Sequence, residues 1–473
     1  KWAGIPIFLL ILFLIFHLTF SENLFFLGGL IKFNAPSFEG SFFEGLFYTE
    51  NGINSIGVIL FNFLDCITSG ITNLVGSWLS TSPDWVSGLI CDGVLGGLFA
   101  VLSFLPQILL LFLFFSILED TGYMARVAFI LDRIFRKFGL TGRAFLPMIM
   151  GFGCSVPAMI NTRTLADDKE RTATIRVIPF FSCGAKLPIL TAIAGGICQI
   201  FGFNNADFIT YSMYVMGMLT AVVAILIMRK TTMRGEVSPF IMELPTYHMP
   251  KFKALMIHLW DKVKHFIKKA FTIILASTIA IWFLSHFSWN WQFLADEEIE
   301  KSILAGLGQL ITPLFTPLGF GWQLERQFSF VFVVAAITGL IAKENVIATF
   351  GALAACIVGS TIDTSTDGAD IVATVEMIRG TGITWPALIA FILFNMTTIP
   401  CFAAVATAKA ELPNKKFGST ILFWLATSYF VSMMVYLVLS WWWSSFIFLA
   451  FFIILGFSIH YFNRYKDRKA TLV

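Results

Sequence analysis

Charge is what this chain has least of. Charged residues fill 13% of its 473 positions and hydrophobic ones 57%; globular chains carry roughly twice that charge. Such a composition excludes a solvated surface wrapped round a single core, and no nucleic-acid partner is expected. The seven cysteines (positions 66, 91, 154, 183, 198, 356 and 401) are odd in number and scattered through apolar sequence. That excludes a disulfide framework. For Cys66, Cys91, Cys198 and Cys356 the ordinary reading is a small buried hydrophobe. The six histidines show no metal-site spacing. No Gly-Lys dipeptide occurs, so the phosphate loop that requires one is absent. Any nucleotide-hydrolysing module is therefore expected on another segment or a separate chain. Residue 1 is Lys rather than Met, in keeping with a start inside a longer chain.

What fills the chain instead is apolar runs, many longer than the roughly 20 residues a helix needs to cross a bilayer. Barrel strands would show short alternation, so the sequence predicts an all-α, polytopic helical membrane protein. Spans are expected at 2–20, 94–118, 177–203, 208–228, 270–287, 385–408, 417–441 and 444–462. The run 56–79 is interrupted by Asn62, Asp65, Asn73 and Trp78 and reads as an amphipathic helix lying in the interface. A second surface helix is expected at 296–311, an acidic loop at 359–383, and an aromatic interface belt at Trp441, Trp442 and Trp443.

Two further apolar stretches, 144–161 and 328–358, fit best as re-entrant hairpins, and the basic residues decide this. With the N-terminus inside, 25 of the 32 Lys and Arg fall on inner loops and 4 on outer ones. A full crossing at either hairpin would carry basic loops outside, against the positive-inside rule. Eight full spans with both termini cytoplasmic result, one hairpin opening inward and one outward. That is the pattern of two inverted halves with a transport site near the midplane. The outer loops hold 16 acidic residues against 4 basic ones, which concentrates cations at the entrance. The basic run 251–269 reads as juxtamembrane charge facing anionic lipid. The loop from Arg163 to Arg176 reads as solvated, or else as a contact for a regulatory module.

Helix breaks carry the chemistry. Gly151, Gly153 and Pro157 interrupt the first hairpin, with Cys154 at the break. Residues 179–188 interrupt the next apolar run and carry Cys183 and Lys186; Cys401 follows Pro400 in a third. In lipid a broken helix is tolerated only where protein or a water-filled cavity satisfies the freed backbone groups. Thiols beside free carbonyls suit a transition-metal cation; the ordinary alternative at each site is a Pro-kinked helix with an idle Cys. Glu119 and Asp120 end a span, and Glu344 lies mid-segment beside Lys343. Ionisable groups inside a membrane are costly and by default functional. The ordinary alternatives are a solvated helix end for Glu119 and Asp120, and a structural ion pair for Lys343 and Glu344, with Lys186 in reach. The candidate metal-handling residues are thus Cys154, Cys183, Cys401, Glu119, Asp120 and Glu344.

These residues lie in GFGCSVPAMINTRTL, PFFSCGAKLP, LEDTGYMARVAFILDR, TGLIAKENV and IPCFAAVATAKAE. The motifs, with the opening WAGIPIF, resemble the membrane domain of the bacterial ferrous iron transport protein B family, FeoB, over nearly the whole chain. The resemblance implies a multi-pass Fe²⁺ importer of the bacterial inner membrane, built on two Gate-type repeats. It implies metal-handling roles for the three cysteines and three acids just named. The segments are then 1–93 (first span, outer loop and interfacial helix), 94–228 (first repeat), 229–269 (cytoplasmic connector), 270–441 (second repeat) and 442–473 (last span and basic tail). The family's G domain, with its GTP and Mg²⁺, is not in this sequence and is expected in cis or in trans. No cofactor is expected on the chain itself. Beside the lipid bilayer and Fe²⁺, small cytoplasmic accessory proteins are implied partners, and a homo-oligomer is allowed. Two other readings stay open: a Gate-type carrier for a nucleoside or other organic solute, with idle cysteines, and a membrane anchor or receptor for a signalling GTPase.

Overall fold

The computed structural model describes residues 4–21, 48–49, 52–79, 81–203, 205–231, 246–251, 253, 255–257, 259–260, 264, 272–294, 296–321, 330–341, 343, 346–347, 349–351, 353 and 369–470. Helices dominate them, as the apolar runs demand: without water, a backbone satisfies its own polar groups most simply as a helix. Among the described residues the paired strands amount to a two-residue ribbon, Tyr48–Thr49 with Gly52–Ile53, and two isolated bridges. Among the described residues, five helices are long and apolar enough to cross a membrane: Ile56–Leu79, Trp85–Asp120, Asp168–Phe201, Ala206–Thr231 and Lys415–Ser440. A sixth results if Trp385–Thr397 and Phe402–Glu411, bent by 41° at their break, are taken as one span. Among the shorter apolar helices, Gly4–Phe20 and Leu275–His286 lie where other spans are expected, and Val331–Leu340 lies in the expected second hairpin.

The chain divides into two compact units, Lys1–Ile134 with Phe240–Phe283, and Phe135–Pro239 with Leu284–Val473. In the first, helices Gly4–Phe20, Ile56–Leu79 and Gly97–Asp120 pack together. A Cβ at Gly57 would lie 2.0 Å from the Thr19 carbonyl oxygen, so only glycine lets these helices approach there. One of the four residues that interrupt 56–79 finds a partner on a neighbouring helix: Ser103 Oγ donates to Asp65 Oδ1 at 3.4 Å. The expected helix is present as one continuous 24-residue element, long and apolar enough to cross a membrane. A polar interruption can be absorbed by a neighbouring helix as well as by water.

In the second unit, Trp385–Thr397 is the hub. All of it from Pro386 on is buried except Ile389. It packs against Leu187–Phe201, Ala206–Thr231, Val331–Ile341 and Asn414–Ser440. Phe391 meets Phe320, Phe332 and Phe350 with ring centroids 5.2 to 5.7 Å apart. A fully buried Phe contributes about 1.5–3 kcal/mol, so this cluster holds the hub firmly. Two loop readings are corrected here. Ala369–Thr381, inside the expected acidic loop, is a helix seated on Gly195 and Gly196 through Ile371, Thr374 and Ile378. Ile303–Phe315 overlaps the surface helix expected at 296–311: it buries Leu304, Ala305, Gly308, Thr312 and Phe315 on Val331–Ile341 and leaves Leu310 and Leu314 exposed. Asp168–Val177 buries Thr174, Ile175 and Val177, where a solvated loop was expected. Trp441, Trp442 and Trp443 are exposed at the turn between Asn414–Ser440 and Ser444–Ala470. The latter helix exposes Phe446, Ile447, Leu449 and Ile454, a surface suited to lipid.

Candidate functional site

All three predicted breaks are present, and all three lie in the second unit. Helix Phe145–Gly153 stops at Cys154, which is extended (φ −153°, ψ 131°), and Ser155–Asn161 begins at once. Pro157 sits in the first turn of that second helix, where a missing N–H costs nothing. The next break is a short 3₁₀ turn, Ile178–Phe180, then extended Phe181 and Cys183, then Gly184–Lys186 leading into Leu187–Phe201. The third separates Trp385–Thr397 from Phe402–Glu411, with Cys401 non-helical (φ −52°, ψ 155°) between them. Each of Cys154, Cys183 and Cys401 therefore holds the position just before a new helical turn, and each is half-buried. The sequence placed the thiols at breaks; this shared position was not foreseen.

The breaks meet. Gly151 lets its helix lie against the second break: a Cβ there would be 3.3 Å from the Ile178 carbonyl oxygen, and Phe152 packs edge-on to Phe181 at 5.1 Å. Ser155–Asn161 packs on Phe402–Glu411. Lys186 joins the second break to the third. Its side chain is 2% exposed, and its Nζ donates to the carbonyls of Pro179, at 2.9 Å, and of Met396. Met396 lies in the last turn of its helix, where carbonyls have no helical partner and favour positive charge. The Cys183 and Cys401 sulfurs both lie within electrostatic range of this ammonium. Ser182 Oγ donates to Met396 Sδ at 3.2 Å. Two oxygens flanking Met396, Asn395 Oδ1 and Thr398 Oγ1, are buried without a hydrogen-bond partner. Burying such acceptors unpaired is costly.

The second break also rests on Gly217 of helix Ala206–Thr231, where a Cβ would stand 2.6 Å from the Phe180 carbonyl oxygen. Gly217→Val is expected to cost about 1–3 kcal/mol through overpacking and to shift the Cys183 segment. Thermal unfolding of the purified variant checks the first effect and metal uptake the second; wild-type values in both would remove Gly217 as a support.

On another side, the hairpin is tied down by charge. Glu411 ends Phe402–Glu411 with its side chain 2% exposed. Arg163 Nε donates to both of its carboxylate oxygens, at 3.0 and 2.9 Å, and Arg171 Nη2 reaches Oε2. The carboxylate holds the Arg163 guanidinium above its ordinary range, chiefly through that hydrogen bond. Lys416 Nζ donates to Thr172 Oγ1 at 3.3 Å, and Trp424 Nε1 donates to the Arg176 carbonyl at 2.8 Å. The basic segment 163–176 is thus held within the chain. Sequence reasoning missed Glu411 because an acid in a Lys-rich helix end reads as solvated.

Glu119 and Asp120 close helix Gly97–Asp120 in the first unit, Glu119 exposed and Asp120 half-buried. Glu344 lies outside the described residues; its neighbour Lys343 is buried. Lys186 donates to backbone carbonyls; the pairing with Glu344 envisaged from sequence lies outside the described residues. Among the described residues, no three His, Cys, Asp or Glu side chains are grouped to hold one metal ion. The arrangement offers instead a buried ammonium held by two backbone carbonyls, with two thiols in its electrostatic range.

A family model described as Gate, nucleoside recognition, matches residues 101–198 and 267–415. A second, described as ferrous iron transport protein B C terminus, matches residues 210–262. Proteins named Fe(2+) transporter FeoB align along nearly all of the chain. The one from Campylobacter jejuni is 36% identical over 437 residues, 91% of this chain and 62% of its own length. That from Salmonella typhimurium is 34% identical over 444 residues, covering 92% and 51%. That from Staphylococcus aureus strain MSSA476 is 33% identical over 438 residues, covering 92% and 57%. The chain thus spans between 51% and 62% of the length of these relatives. No solved structure matches.

Proposed function

The chain belongs to the Gate family and carries the ferrous iron transport protein B C-terminal segment, and on that premise we propose that it carries Fe²⁺ across the bacterial inner membrane as the permeation part of a GTP-dependent system. The observation that carries this reading is the alignment of nine-tenths of the chain with proteins named Fe(2+) transporters. The geometry supports it through the meeting of three thiol-bearing breaks. An ion shedding part of its water needs replacement ligands, weak enough to release it again. Thiols suit Fe²⁺ better than Mg²⁺ or Ca²⁺. Cys154, Cys183 and Cys401 supply sulfur; Glu119, Asp120 and Glu344 supply carboxylates. Eight spans in two inverted repeats, with both termini cytoplasmic, remain the proposed topology. A G domain in cis or in trans would supply GTP and Mg²⁺, with small cytoplasmic accessory proteins as further partners.

The nucleoside carrier draws on the Gate description alone, and it leaves the position of the cysteines without a purpose. The test is metal flux by the purified chain in liposomes, with and without a supplied G domain and GTP. Fe²⁺ entry above that of protein-free liposomes supports the reading; nucleoside entry without Fe²⁺ entry overturns it. Glu344→Ala is expected to reduce Fe²⁺ uptake in cells while leaving expression intact. Wild-type uptake would remove Glu344 from the site.

A further inference from the structure

A buried lysine is an odd neighbour for a cation path. Lys186 carries a positive charge into the place where three helix breaks meet, and burying a charge is tolerated only with compensation. The compensation here is the kind that serves a permeating ion. An ammonium has three N–H donors and no acceptor. Two of its partners are backbone carbonyls from different breaks, Pro179 and Met396, and the sulfurs of Cys183 and Cys401 are in electrostatic range. Backbone carbonyls of this sort are what replace an ion's water in a filter.

We infer that the Lys186 side chain is the resting occupant of the ion site, a tethered cation that holds the carbonyls of the second and third breaks until a divalent ion displaces it. The inference rests on the ion-permeation reading above. Two features support it beyond the ammonium's contacts. Asn395 Oδ1 and Thr398 Oγ1, on either side of Met396, are fully buried acceptors without a hydrogen-bond partner. The ammonium leaves them unused, and an ion drawing ligands from this turn could use them. The lysine stem is flexible, so its head can leave without the backbone moving.

A selectivity follows. An alkali ion carries the same charge as the ammonium and gains little by replacing it. A divalent ion brings twice the charge to the same carbonyls and thiols, so it alone pays for the displacement. Lys186 is on this account a specificity-determining residue that need not ligate the metal.

The test compares wild type, Lys186→Met and Lys186→Arg, each as the full chain in liposomes. If the ammonium holds the site in about nine of ten resting molecules, its removal raises apparent Fe²⁺ affinity about tenfold, by the fraction of competent sites. Lys186→Met is therefore expected to half-saturate at lower Fe²⁺ and to leak sodium and potassium. Lys186→Arg is expected to keep the alkali leak closed. A folded Lys186→Met protein with unchanged half-saturation and no leak overturns the inference. Should that variant not fold, wild-type protein decides: amine labelling of Lys186, read by peptide mass, is expected to quicken several-fold in saturating Fe²⁺. Labelling that does not change with Fe²⁺ overturns it. Absence of Fe²⁺ flux in wild type would instead sink the permeation reading itself.

Discussion

Serine at Cys183 and Cys401 together is expected to lower Fe²⁺ uptake by on the order of a hundredfold. The exchange is nearly isosteric, and both residues are half-buried in non-helical backbone between helical segments, so packing changes little. What changes is ligand character: a hydroxyl is a hard, weakly basic donor where a thiolate is soft. Even outer-shell partners of a metal site cost about 10–100-fold when removed, and two direct donors should reach the upper end. Initial rates of Fe²⁺ entry into liposomes, at matched amounts of folded protein, check it. Rates equal to wild type would return both thiols to the idle status of Cys198. Cys154→Ser is expected to act in the same direction.

Glu411→Ala has the second large effect, on stability rather than on ligands. Truncating one partner of a buried ion pair leaves the others uncompensated, at about 3–5 kcal/mol. The lower end applies here, since the Arg163 side chain is 65% exposed while Arg171 is 25% exposed. Arg163 follows Ser155–Asn161 and Glu411 ends Phe402–Glu411, so the pair pins two of the broken segments together. A lowered midpoint of thermal unfolding in detergent is expected, with Glu411→Gln falling between. Midpoints equal to wild type in both variants would mean that side-chain packing alone holds these ends.

The parts legible in the sequence were those written locally. Glycine and proline mark a break by their own backbone limits, so Gly151, Gly153, Pro179 and Pro400 announced the three interruptions, and the cysteines beside them came along. What joins the breaks was not legible. Lys186 reaches a backbone carbonyl 210 residues away, and Arg163 a carboxylate 248 residues away. A bond to a main-chain oxygen leaves no trace in the partner's identity, and a buried carboxylate looks in sequence like a solvated one. The same holds for Asp65 in 56–79, whose partner Ser103 lies 38 residues further along the chain. Likewise 163–176 was read as solvated because its charges were counted without the partners that hold them.

Access to a water-soluble thiol reagent tests the central claim most directly. If the breaks exist so that a cation can pass between half-buried sulfurs, a small charged methanethiosulfonate should stop Fe²⁺ entry into liposomes. Saturating Fe²⁺ should protect against it, and a chain with serine at 154, 183 and 401 should resist it. Undiminished Fe²⁺ entry after full modification of those three sulfurs would contradict the account.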